Sequence, residues 1–128
     1  MAVTYTLDGA HIQILEDFWR VMGEAVNGPE GYFGSGLNSF ADCLRGGFGT
    51  PEGNAFTVEW QGHDASRQHL GYPETVRQLE LRLERCDPSN RMHLLVDLAA
   101  ARDGRGPTVF DWLVDIFEDE APGVLRLV

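Results

Sequence analysis

Short runs of alternating hydrophobic and polar residues predict three β-strands. Residues 3–7 alternate weakly and stop at Asp8 and Gly9, a turn signal. Residues 55–60 give the clearest pattern, because apolar and polar side chains alternate throughout. Residues 124–128 follow a Pro-Gly turn and predict a short terminal strand. The chain therefore has a strand near each end and one in the middle.

Apolar residues spaced about 3.6 apart predict helices between and after these strands. Asp64 is expected to cap a short helix that stops at Gly71, and Pro73 to occupy the first turn of the next. Thr108 and Asp111 form a capping-box pattern before the last helix. The longer apolar stripes lie at residues 15–26, 37–44, 76–86, 94–101 and 110–117.

Strands separated by helices imply parallel pairing through right-handed crossover connections. The expected fold class is therefore α/β, with a three-stranded parallel sheet and helices packed on it. At 128 residues, the chain has a length typical of one domain with its own core. We expect residues 1–128 to form a single domain.

Charge is the most informative property of the composition. Twenty acidic residues oppose ten basic ones, all of them arginine, which gives a net charge of −10. This balance argues against nucleic-acid binding, because the phosphate backbone would be repelled. The acids are concentrated in residues 1–64 and 106–128, whereas residues 65–105 are nearly neutral. Two interpretations remain open: a solubilising surface, or an acidic binding face built from the two ends.

Cysteine and histidine are too few and too scattered to predict a metal site. Cys43 and Cys86 form no CxxC pair, and we expect two reduced thiols on helices. Neither a metal nor a cofactor is expected. The N-terminal residues lack the pattern of a signal peptide, and no apolar run approaches the ~20 residues of a membrane span. The expected location is the cytoplasm, without membrane contact.

The segment with candidate chemistry is the glycine-punctuated loop and short helix of residues 31–47. Tyr32 is a candidate interface anchor in the loop. Asp42 is expected to point outward from the helix, flanked by Asn38, Ala41 and Arg45. On spacing alone, a lone carboxylate of this kind is normally solvated surface.

Two catalytic or ligand-binding interpretations of the chain fail on sequence grounds. The glycine spacing of the loop fits neither a dinucleotide fingerprint nor a P-loop, and no lysine is present to neutralise a phosphate. His63, Asp64, Ser66 and His69 lie close together in sequence, but no nucleophile elbow accompanies them. We therefore expect no enzymatic activity.

The loop and helix also carry a family signature. Tyr32-Phe33-Gly34-x-x-Leu37, followed by Asp42-Cys43-Leu44 and Gly46, resembles the barstar family, the intracellular inhibitors of secreted guanyl-preferring ribonucleases. Residues 7–9 resemble the first strand and turn of that family, and residues 58–60 resemble its middle strand. Residues 110–128 overlay its final helix and strand without a gap. The resemblance implies a barstar-like fold, with an insertion of two extra helices at about residues 72–107.

The resemblance implies that this chain blocks a basic, extracellular-type ribonuclease as a 1:1 complex and is a monomer when free. Asp42 matches the acid that occupies the place of a substrate phosphate. Tyr32 matches the aromatic residue on the catalytic histidine, and Gly34 matches a point of close approach. The implied partner-binding residues are Tyr32, Gly34, Gly36, Asn38, Ala41, Asp42, Arg45, Gly46 and Asp115.

Three positions depart from the family pattern. Asn38 replaces a second helix acid, Ala41 replaces a tryptophan, and Gly36 replaces a loop asparagine. These differences are expected to weaken binding to the usual target or to redirect it to another ribonuclease. The alternative function is a regulatory or assembly module that binds a basic non-nuclease protein through the same acidic face.

Overall fold

A computed structural model describes residues 3–128 as one α/β unit. Its three strands, β1 (Val3–Asp8), β2 (Phe56–Gln61) and β3 (Leu125–Leu127), form a single parallel sheet in the order β1-β2-β3, with Val58 opposite both Tyr5 and Leu125. The predicted three-stranded parallel sheet is therefore confirmed. The elements are β1 Val3–Asp8, α1 Leu15–Asn27, α2 Leu37–Arg45, β2 Phe56–Gln61, α3 His63–His69, α4 Tyr72–Arg85, α5 Arg91–Arg102, α6 Val109–Glu120 and β3 Leu125–Leu127.

An aromatic core joins the central strand to α1, α2 and α6. The rings of Phe18 and Phe40 lie 5.2 Å apart, and the same distance separates Phe40 from Phe117. Trp60 of β2 is fully buried beside them. Burial of Phe40 against two other helices is the kind of packing that stabilises a domain by about 3–5 kcal/mol for one phenylalanine. The inner side of α2 is thereby fixed, and its outer side is presented to solvent.

Helices α4 and α5 form a hairpin with a small core of its own, made of Leu79, Leu98 and Ala101. The sequence pattern also placed Leu95 in the buried stripe of α5, but Leu95 is 40% exposed. That assignment is wrong because α5 packs mainly against α4, so a narrow face of the helix is covered. Leu94 is half-buried and lies at the edge of that face.

The ends of the helices follow most of the predicted signals. Thr108 and Asp111 form the capping box of α6, and Pro73 lies in the first turn of α4, so both predictions are confirmed. Asp64 does not cap α3. The residue before α3 is Gly62, whose φ of +62° favours glycine, and Asp64 lies within the first turn. Cys86 follows the last residue of α4 instead of belonging to the helix.

Candidate functional site

The outer side of α2 carries the predicted site residues at its surface. Phe40, Cys43 and Leu44 point into the core, so Asn38, Asp42 and Arg45 are left exposed. Ala41 is half-buried between them. The side chain of Asp42 is 61% exposed. We call Asn38, Ala41, Asp42 and Arg45 the α2 face.

Asp42 is not isolated, because Arg45 links it to the end of α6. Arg45 Nη1 donates a hydrogen bond to Asp42 Oδ1 at 2.6 Å. Its Nε and Nη2 donate to the two carboxylate oxygens of Glu120, at 2.5 and 2.9 Å. The hydrogen bonds with Glu120, and to a lesser degree the charge of Asp42, raise the pKa of Arg45, and the hydrogen bonds with Arg45 hold the pKa of Glu120 below its usual value. One arginine thus lies between two carboxylates.

Two exposed aromatic side chains flank the α2 face. Tyr32 is 51% exposed in the loop before α2, and Phe48 is 44% exposed in the loop after it. A single amide joins the two loops, because Asn27 Nδ2 donates to the carbonyl oxygens of Tyr32 at 2.7 Å and Phe48 at 2.9 Å. We call Tyr32 and Phe48 the aromatic pair. Asn27 gives these flexible segments a common anchor on α1.

The site glycines differ in what they do. Gly34 is buried with φ +95°, and a Cβ there would lie 2.7 Å from Phe40 Cα, so it lets the loop close on α2. Gly46 has φ +125° and ends α2. Gly36 has an extended backbone, and the nearest atom to an added Cβ is Ser39 Oγ at 3.8 Å. The backbone conformation at position 36 therefore does not require glycine, and the missing side chain leaves open space beside α2.

Helix α6 adds acidic residues near α2. Asp115 is exposed on α6, and Glu118 and Asp119 are exposed one turn further along. The contact between Arg45 and Glu120 joins the C-terminal end of α6 to α2. Glu120 and Phe48 were not singled out from the sequence, because their proximity to Asp42 and Tyr32 depends on contacts between distant parts of the chain.

Two residues of the candidate hydrolytic set, Ser66 and His63, have structural contacts. Ser66 is fully buried, accepts a hydrogen bond from Trp60 Nε1 at 3.0 Å and donates one to the Gly9 carbonyl at 3.0 Å. A nitrogen of His63 lies 3.0 Å from the carbonyl oxygen of Val128. This serine is held between two partners inside the core, without the exposure that a nucleophile needs to meet a substrate.

Both cysteines are free thiols. Cys43 is buried under the α2 face, and burial, together with the negative charge of Asp42, raises its pKa. The thiol of Cys43 is therefore protonated at neutral pH and packs as a small apolar side chain.

No cluster of three or more histidine, cysteine or acidic side chains within residues 3–128 is arranged to hold a metal ion. No helix in the same residues combines the length and apolarity needed to cross a bilayer.

Comparison with known proteins gives one match. A family model described as Barstar (barnase inhibitor) matches residues 2–87, which is most of the chain. Searches of curated proteins and of solved structures gave no significant match. The matched range includes the aromatic pair and the α2 face. It ends just after α4, within the segment 72–107 that was predicted to be an insertion, and leaves Asp115 and Glu120 outside.

Proposed function

The chain belongs to the barstar family, the barnase inhibitors, and we propose that it inhibits a secreted guanyl-preferring ribonuclease by covering its active site. The proposal includes a 1:1 complex, a monomer in the free state, a cytoplasmic location and no catalysis by this chain. In this proposal, the chain neutralises folded ribonuclease inside the cell before the enzyme is secreted.

The observation that carries this proposal is the exposed carboxylate of Asp42 on a helix held rigidly by the core. A ribonuclease active site binds phosphate through cationic side chains, and a carboxylate presented on a rigid helix offers them a substitute anion. Because Phe40 fixes α2 from below, little conformational freedom is lost when Asp42 binds. Asp42 is the central contact of the proposed interface.

The remaining site residues take supporting roles. Tyr32 and Phe48 provide large, stiff contact surfaces next to the carboxylate. Gly34 and Gly46 shape the two ends of the site and act by positioning the loop and helix. Asp115, with its neighbours on α6, enlarges the acidic surface and extends the contact area.

Net charge supports fast association with a basic enzyme. At −10, the chain attracts a cationic active site over long range, and this steering weakens as salt rises. Arg45 weakens this attraction locally, since its guanidinium places a positive charge beside Asp42. Affinity therefore depends on whether the partner can draw Asp42 away from Arg45 or bind it with Arg45 in place.

The departures at Asn38, Ala41 and Gly36 support a target different from the family's usual one. The α2 face has one carboxylate fewer and no tryptophan. Phe48, anchored next to Tyr32 through Asn27, supplies aromatic surface from the opposite loop. We also propose that residues 72–107 are an insertion, which forms the α4–α5 hairpin.

A titration tests the proposal directly. The chain is added in increasing amounts to each member of a panel of microbial guanyl-preferring ribonucleases while RNA cleavage is followed. We expect at least one enzyme to lose its activity linearly, with an end point at one inhibitor per enzyme. Binding without loss of cleavage would favour the regulatory module, and no binding to any enzyme would overturn the proposal.

A further inference from the structure

A groove of about 900 Å³ lies between the α4–α5 hairpin and the body of the domain. One wall comes from the start of α1 and from Ser35, Gly36 and Leu37, next to the aromatic pair and the α2 face. The opposite wall comes from the C-terminal half of α4 and the start of α5. The groove is therefore continuous with the proposed inhibitory site.

The walls of the groove are partly apolar. Trp19, Leu37, Leu81 and Leu94 line it, and each keeps part of its surface exposed to solvent. The side-chain-free Gly36 leaves the mouth open. Such a channel favours a chain segment with at least one apolar side chain.

The rim of the groove is positively charged on an otherwise acidic protein. Arg77, Arg82 and Arg85 line it, and Glu16 is the one acidic residue lining it within residues 3–128. Arg77 is already bound by Glu16 and Glu74. Arg82 and Arg85 form no ion pair with any residue that the structure describes, and Arg82 is held 4.7 Å above the ring of Trp112. Arg85 is thus free to bind an anion, and Arg82 adds positive charge to the wall of the groove while its guanidinium packs on Trp112.

We propose that this groove binds an acidic, partly apolar segment of the same protein that is blocked by Asp42. The inference rests on the proposed function. The position of the groove favours this occupant, because Gly36 lines the groove and is also one of the predicted partner-binding residues beside α2. The arginines in the groove favour an acidic segment, because a basic segment would be repelled by Arg82 and Arg85. A suitable target therefore has a cationic active site with carboxylates beside it.

The test compares two charge reversals in the hairpin. Arg85→Glu places the new charge in the groove, whereas Arg105→Glu makes the same change in net charge at an exposed site outside the groove. Long-range attraction to a basic enzyme would make both variants bind slightly faster. The groove proposal predicts that Arg85→Glu instead weakens the complex by about tenfold or more, while Arg105→Glu leaves it unchanged or tighter.

The measurement is the dissociation constant of each variant with an enzyme that the wild-type chain inhibits. The side chain of Arg85 makes no hydrogen bond to a residue that the structure describes, so its substitution is not expected to disturb the fold. Matched thermal unfolding checks this. If the two variants bind equally well while Asp42→Asn abolishes inhibition, the groove proposal alone is overturned. If the wild-type chain inhibits no ribonuclease, both proposals fall.

Free anions are the competing occupants of the groove. Thermal unfolding of the isolated chain in the presence of inorganic phosphate or GMP distinguishes them. We expect no stabilisation that depends on Arg85. Stabilisation by either compound that is lost in Arg85→Glu would assign the groove to a small anion and overturn the partner segment.

Discussion

Arg45 lies 2.6 Å from the carboxylate of Asp42, the residue that the proposed function places among the cations of the partner. The acid therefore has a cation beside it before any partner arrives. Glu120 holds the same arginine from the other side, so Arg45 does not depend on Asp42 for its position. A partner that attracts Asp42 leaves Arg45 paired with Glu120, which lowers the cost of exchanging one cation for another.

We predict that Arg45→Gln speeds association with a basic ribonuclease. The substitution removes the charge that opposes steering and leaves Asp42 unpaired, so the association rate constant should rise roughly two- to fivefold at low salt. Stopped-flow mixing over a range of salt concentrations measures this change. Arg126→Gln, an equal charge change on β3, is the matched control and should have a smaller effect. Slower association of Arg45→Gln would show that Arg45 itself contacts the partner favourably.

We predict that the aromatic pair contributes to affinity and little to stability. Tyr32→Ala and Phe48→Ala should each weaken binding by about 2 kcal/mol, or roughly 30-fold, because a large rigid side chain is lost from the interface. Both side chains are about half exposed, so the free energy of unfolding should change by less than about 1 kcal/mol. Calorimetric titration and chemical denaturation measure the two quantities.

Met92→Ala provides the control for the aromatic pair, since Met92 is exposed on α5, outside the proposed interface. It should leave the dissociation constant unchanged. Equal losses for Met92→Ala and Tyr32→Ala would contradict the assignment of the aromatic pair to the interface.

The sequence was sufficient to predict the sheet and the outward direction of Asp42, because both depend on local periodicity. It did not reveal that Arg45 contacts Glu120, or that Asn27 joins the loops of Tyr32 and Phe48. The Arg45–Glu120 and Asn27–Phe48 contacts join residues 75 and 21 positions apart, and arginine and asparagine at such positions have no distinctive spacing. The prediction that Leu95 is buried was wrong for a related reason. An apolar stripe on a helix does not show how many neighbouring elements will pack against that helix.

The contact of Glu74, on α4, with the start of α1 also could not be predicted from the sequence. Its buried carboxylate accepts hydrogen bonds from the backbone N–H of Leu15 at 2.9 Å, from Arg77 and from Gln78. Burial alone would raise the pKa of Glu74, but these hydrogen bonds outweigh it and hold the pKa below the usual value. The carboxylate satisfies a free amide at the start of α1 from a residue 59 positions away.

We predict that Glu74→Ala lowers the free energy of unfolding at pH 7 by about 1–3 kcal/mol, because the Leu15 amide and Gln78 lose their acceptor. A depressed pKa in the folded state stabilises the fold above the ordinary carboxyl value of about 4.3, and that contribution is lost as pH falls through the lower folded value. The difference between wild type and variant should therefore shrink below about pH 4.

Denaturant unfolding at pH 7, 5, 4 and 3 measures this dependence. Glu84→Ala, on an exposed position of the same helix, is the control and should change stability little at any pH. A difference for Glu74→Ala that stays constant from pH 7 to pH 3 would contradict the role assigned to its ionised form.

The central claim is that the carboxylate of Asp42 replaces a phosphate in a ribonuclease active site. Asp42→Asn keeps the shape of the side chain and removes its charge, so the claim predicts a loss of about 2–5 kcal/mol in binding with unchanged thermal unfolding. That range derives in part from barnase and its inhibitor and is therefore an expectation for the family.

The inhibition constant of Asp42→Asn against a ribonuclease that the wild-type chain inhibits is the most direct measurement. Asp64→Asn makes the same charge change at a side chain that is highly exposed on α3 and serves as the control. The account predicts inhibition weakened at least about 30-fold for Asp42→Asn and nearly unchanged for Asp64→Asn. Equal inhibition by the wild-type chain and a well-folded Asp42→Asn variant would contradict it.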